Sequence, residues 1–210
     1  MGHQFDIMAI SLSGMNDDDQ ADTAQLQACA GLLGASLEDE PSQLGIYSVM
    51  DLVRDHHELL YVGAIPGGLI CLGDPVRDWA WDYSDKKAFR GALHHSRAVA
   101  VGAYEGTGTF YYLVAEDTIQ RKVVLCEGEL FHCVGEPLAA ETTQGIDNNG
   151  ALIDMLPVYG TNIVWELLSG IVDPEIFDTN EPREFFRGSE GSLAAGFSSL
   201  LSWLLRRFES

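Results

Sequence analysis

The stretch from Ser96 to Glu136, SRAVAVGAYEGTGTFYYLVAEDTIQRKVVLCEGELFHCVGE, constrains the fold more than any other part of the chain. Val99, Val101 and Ala103 alternate with Ala98, Ala100 and Gly102, so both faces of a strand there are apolar or small. Phe110, Tyr112 and Val114 alternate in the same way with Tyr111, Leu113 and Ala115. Between the runs lies Glu105-Gly106-Thr107-Gly108, and glycines accept the positive φ of a tight hairpin. Arg121 to Cys126 forms a third run, Glu127-Gly128 a second turn, and Leu130 to Val134 the return. Gly135-Glu136-Pro137 ends the series, because proline has no N–H to give a ladder. Connections this short make the strands antiparallel neighbours. A meander with two apolar faces needs cover on both sides.

Other segments read as that cover. A helix over about 17–33 would start at Asn16-Asp17-Asp18-Asp19, where acids suit the free amides, and bury Leu26, Ala30 and Leu33. A second, about 85–95, would be capped by Ser84, bury Ala88, Phe89, Ala92 and Leu93, and close at His94 and His95. A third spans about 161–171, with Ile163, Val164, Leu167, Leu168 and Ile171 inward. The last, about 190–208, carries Leu193, Phe197, Leu200, Leu201, Leu204, Leu205 and Phe208 at helical spacing. Further strands are expected at Phe5 to Leu12, Leu59 to Val62 and Leu69 to Leu72; Ile46 to Val53 fits strand or helix. The expectation is a single α+β domain over residues 1–210. Its core is an antiparallel β-meander at about 96–136, covered by helices that include a C-terminal amphipathic one.

Charge narrows the function. Only 12 Lys and Arg stand against 32 Asp and Glu, a formal net charge of −20. Residues 1–53 and 123–182 hold no Lys or Arg. That excludes the basic footprint of a nucleic-acid binder and disfavours an anionic membrane surface. It suits a basic partner, since such charge steers association, and it also serves solubility alone. MGHQFDIMAISLSG lacks the basic n-region of a signal peptide, and no apolar run approaches a membrane span. Cys29, Cys71, Cys126 and Cys133 sit in scattered apolar contexts without a CxxC, and read as reduced, mostly core residues of a cytoplasmic protein.

Signatures of chemistry are missing. No GxSxG elbow, HExxH or GxGxxG with a downstream acid occurs, and Pro66-Gly67-Gly68 lacks the Lys and hydroxyl of a phosphate loop. Glu105 and Glu127 would make an acid/base pair only if the fold brought them together. His132 and Cys133 are neighbours on a strand and face opposite ways. His56-His57 and His94-His95 are adjacent pairs, which diverge on a helix. No catalytic residue, cofactor or metal site is therefore expected, although a metal site could assemble from residues distant in sequence.

The segment Asp74 to Asp85, DPVRDWAWDYSD, is the candidate partner-binding site: Asp74, Asp78, Asp82 and Asp85 with Trp79, Trp81 and Tyr83. Acids speed encounter, and aromatic anchors supply hot spots that slow dissociation. Alternatively, Trp79 and Trp81 are core residues alternating inward on a strand.

The chain's size, its acidity and a meander ending in VGEPLAAE (Val134 to Glu141) resemble acidic bacterial immunity proteins, cytosolic partners of secreted antibacterial toxins. Leu69 to Glu141 carries the likeness. The resemblance implies stoichiometric blockade of a cognate toxin without turnover. A toxin with a basic surface would fit the charge. Two other readings stand beside it. One is a small cytosolic enzyme with dispersed catalytic residues, marked by a titratable group of displaced pKa in a polar cleft. The other is a structural or adaptor subunit, marked by a self-complementary apolar patch. Oligomeric state is not read from the sequence.

Overall fold

A computed structural model describes residues 4–16, 19–37, 59–81, 93–104, 108–127, 129–143, 163, 166–171 and 185–189. Among the described residues, nine strands form one antiparallel sheet in the order β2-β9-β3-β4-β1-β5-β6-β7-β8. They are β1 (Gln4–Ser11), β2 (Ser36–Leu37), β3 (Tyr61–Ile65), β4 (Gly68–Leu72), β5 (Arg97–Tyr104), β6 (Thr109–Ala115), β7 (Ile119–Cys126), β8 (Glu129–Val134) and β9 (Phe185–Ser189). The meander expected at 96–136 is β5 to β8. β1 occupies the middle of the sheet, paired with β4 on one side and β5 on the other. β2 and β9 carry no signal that the sequence reading used.

Register explains why both faces are apolar. One row crosses seven strands through Tyr61, Leu72, Ile7, Val101, Tyr112, Val123 and Cys133. The neighbouring row, facing the other way, runs Val62, Cys71, Met8, Ala100, Leu113, Lys122 and Val134. Each fully buried aliphatic side chain in these rows contributes about 1.5–3 kcal/mol. Pro66 and Gly67 turn β3 into β4, with Gly67 at φ 69, so the glycine pair there serves a hairpin.

Helices cover the two faces. The Met8 face receives α1 (Thr23–Leu32) and α2 (Asp74–Trp81) through Leu26, Cys29, Ala30, Val76 and Ala80. The Ile7 face receives α3 (Ala139–Thr143) through Ala140, together with Ile163, Leu167 and Leu168 from the segment 163–171. Covering helices at about 17–33 and 161–171 thus have counterparts among the described residues.

Three expectations are corrected. α1 starts at Thr23, because Asp22 rather than the Asp17–Asp19 run is its cap. The Asp22 carboxylate accepts from the Gln25 backbone N–H at 2.8 Å, and the Asp22 N–H donates in return to Gln25 Oε1 at 2.8 Å. Asp74 to Trp81 is a helix, so Trp79 and Trp81 do not alternate on a strand. His94 and His95 lie in a turn after Leu93, not in a helical last turn, and His95 adopts φ 62. Residues 85–92 of the helix expected at about 85–95, the helix expected at about 190–208, and Ile46 to Val53 lie outside the described residues.

A buried ion pair pins α3 to β7. Arg121 and Glu141 are both fully buried, with Nε donating to Oε2 at 2.9 Å and the second guanidinium arm also on Glu141. Arg121 also donates to the Gly135 carbonyl at 2.7 Å, and Glu141 accepts the Leu138 N–H at 2.8 Å. Gly135, at φ 82, packs so closely on Gln120 that a Cβ would strike the backbone there. Within VGEPLAAE, then, Gly135 and Glu141 hold α3 to the sheet.

Candidate functional site

The candidate segment enters the structure as α2, laid across β1, β4 and β5 on the Met8 face. Val76 and Ala80 face the sheet and are fully buried, as residues four apart on a helix should be. Asp74 is half-buried and Asp78 exposed. Arg77, between them, makes ion pairs with both, at 3.3 and 3.1 Å. Trp79 and Trp81 are half-buried and pack against the core of this face. Trp81 stacks on Phe131 of β8 with centroids 6.2 Å apart, and its buried Nε1 has no hydrogen-bond partner among the described residues. Asp82, Tyr83 and Asp85 lie outside the described residues. Of the seven predicted site residues, the structure therefore gathers Asp74, Asp78, Trp79 and Trp81 on one helix.

Beneath α2 lies a group the sequence reading missed. Asp6 on β1 is 1% exposed and faces the same side as Met8. Cross-strand pairing sets it beside Gly102 on β5, and Gly102 beside Tyr111 on β6. The Tyr111 hydroxyl reaches over Gly102 and donates to Asp6 Oδ1 at 2.6 Å. A Cβ at Gly102 would overlap the Tyr111 ring and lie 2.6 Å from Asp6 Oδ1, so the passage exists because residue 102 has no side chain. Tyr104, two residues further along β5, donates to Asp6 Oδ2. Arg77 then donates to the Tyr104 hydroxyl at 2.9 Å, with its guanidinium 5.6 Å from the ring centroid.

Burial dominates the electrostatics. Desolvation pushes the Asp6 carboxyl up to about 7, against the opposing pull of the two tyrosine hydroxyls and Arg77. Burial, and then the Asp6 charge, also raises Tyr104 and Tyr111, so both remain hydroxyl donors. The result is a carboxyl that exchanges its proton near neutrality, wired through Tyr104 to the surface ion pairs of α2. Sequence could have flagged Asp6 only as an acid on the inward side of a strand.

The remaining candidates divide plainly. Glu105 lies outside the described residues, and Glu127 is an exposed turn residue at φ 54. His132 shares the Lys122 face of β8, where burial and the Lys122 charge lower its pKa, while Cys133 packs on the opposite face. Cys29 of α1 and Cys71 of β4 meet in the core with sulfurs 3.0 Å apart. Burial and then Cys29 itself raise the Cys71 pKa, which disfavours the reactive thiolate. Among the described residues, no helix is long and apolar enough to cross a membrane.

The chain matches no protein-family model, no curated protein and no solved structure.

Proposed function

We propose that this protein neutralises a cognate protein toxin by stoichiometric binding, with α2 as part of the contact surface. The observation that carries the reading is the construction of α2. Its single cation, Arg77, is held between Asp74 and Asp78 and against Tyr104, so it offers no free positive charge to a basic partner. Asp78 faces solvent beside two half-buried tryptophans. The overall charge of −20 adds the long-range attraction that speeds encounter. The reading entails a cytoplasmic protein and a toxin with a basic surface. The 193–208 stripe would then be an amphipathic helix completing the cover of the sheet.

Co-expression with the product of the adjacent gene tests the proposal. A 1:1 complex that restores growth supports it. No complex and no rescue would remove it.

Asp6 favours a second reading, an enzyme with dispersed catalytic residues, because its proton is exchangeable near pH 7. Against that, Asp6 is buried and both its oxygens already accept tyrosine hydroxyls. The adaptor reading has less support: among the described residues, the exposed large hydrophobic is Val134.

A further inference from the structure

The turn between Leu93 and β5 faces the β6–β7 turn, and three side chains meet there. His94, His95 and Asp117 each offer one ligand atom, and these atoms lie within 4.8 Å of one another. Adjacent histidines would diverge on a helix. Here the backbone leaves helical space at His95, with φ 62, and the two imidazole centroids come to 3.8 Å in an edge-to-face arrangement. Histidine is among the few residues that adopt this left-handed conformation with any frequency.

The carboxylate is fixed in place. The His95 backbone N–H donates to Asp117 Oδ1 at 3.1 Å, and His95 Nδ1 lies 2.8 Å from Oδ2. The His95 backbone N–H, first, and then its side chain keep Asp117 below the ordinary carboxylate range.

We propose that His94, His95 and Asp117 form a binding site for a divalent first-row transition ion, zinc foremost. Two imidazole nitrogens and one carboxylate oxygen are a donor set that suits zinc and its neighbours, whereas calcium and magnesium take oxygen shells. Ligand atoms around a tetrahedral zinc with bonds of about 2.0–2.1 Å stand about 3.3 Å apart. His95 Nδ1 and Asp117 Oδ2, now 2.8 Å apart, must therefore open by about half an ångström. All three side chains are at least partly exposed, with His95 at 66% and Asp117 at 45%, so they have room to do so. For Nδ1 of a neutral His95 to bind the ion, its lone pair must be free, with the ring proton carried on Nε2 instead of shared with Asp117 Oδ2. Three protein ligands leave a coordination position for water or for a group from a partner. The ion would tie the start of β5 to the β6–β7 turn.

The test is calorimetric titration of the full, metal-stripped chain with zinc ion, in excess magnesium to occupy the many surface carboxylates. One equivalent should bind. Loss of an outer-sphere partner of a metal site costs about 10–100-fold in affinity. Asp117→Asn, His94→Ala and His95→Ala, which remove ligands, should each lose at least about tenfold. Cobalt substitution should give visible bands without thiolate charge transfer, separating this site from the cysteines. Nitrogen NMR of the imidazoles should show His94 and His95 shifting on zinc addition while His132 stays put. Binding equal to wild type in His94→Ala/His95→Ala, or no one-equivalent binding at all, would leave only a surface His–Asp ion pair. Should a variant fail to fold, the NMR shifts on the wild-type chain decide alone.

Discussion

Tyr111 donates to Asp6 across one intervening strand, and Gly102 is the gap through which it does so. The contact couples β6 to β1 at a point where direct pairing does not reach. It follows that the tolerance of residue 102 to a single methyl group measures the network.

Gly102→Ala should force either the Tyr111 ring or the Asp6 carboxylate out of place. Overpacking of this kind costs about 1–3 kcal/mol, with the lost hydrogen bond in addition. Urea unfolding with unchanged slope and a lower midpoint is the expected result. An unchanged midpoint would show that the ring position is not needed.

Asp6 should make stability depend on pH. Its folded pKa, about 7, lies above the unfolded value of 3.8, so between these pH values the folded state binds more protons. Stability attributable to Asp6 is then greatest below about pH 4, falls through the window, and levels off above about pH 7. A shift of three units is on the order of 4 kcal/mol. The difference in unfolding free energy between wild type and Asp6→Asn, followed from pH 4 to 8, should move against wild type as pH rises. A flat difference would contradict the assignment.

The Arg121–Glu141 pair should be costly to break and cheap to replace. Glu141→Ala leaves a buried guanidinium uncompensated and should destabilise by about 3–5 kcal/mol. Arg121→Met with Glu141→Leu should recover most of that loss. Equal melting losses in the single and double variants would show that the charges matter little.

For toxin binding, Asp78→Lys should lower the association rate, and the deficit should shrink as salt rises. Trp81 is tied to Phe131 and to the core, so Trp81→Ala should first lower thermal stability. Any increase in dissociation rate is to be read from conditions where the variant remains folded. An association rate unaffected by Asp78→Lys would remove α2 from the contact surface.

The meander was legible because period-two alternation and glycine turns are local signals, and β5 to β8 lie where they point. α1 and its Leu26–Ala30 stripe were legible for the same reason, but its start was not. The Asp17–Asp19 run offers several equivalent acids, whereas the cap is decided by the reciprocal bonds of Asp22 and Gln25. β9 was missed because its sequence, FFRGS, does not alternate, and a strand that inserts between β2 and β3 is defined by its partners. Asp74 to Trp81 was ambiguous because tryptophans suit strands as well as buried helix faces. The Asp6 network was invisible: it joins residues 98 and 105 positions apart, and the residue that permits it contributes no atoms. His94 and His95 were discounted by a helical geometry that the backbone does not adopt.

The central place of β1 has a consequence for the order of folding. Its two neighbours, β4 and β5, lie some sixty and ninety positions later in the chain. A nascent chain therefore carries an apolar strand with no partner on either edge until residue 72 has been made, and with one edge still open until residue 104. Closure of the far side waits longer still, for β9 to reach β3. Such distant pairings slow folding and lengthen the exposure of sticky edges. The strand that anchors the finished sheet is, during synthesis, the one most available to the wrong partner.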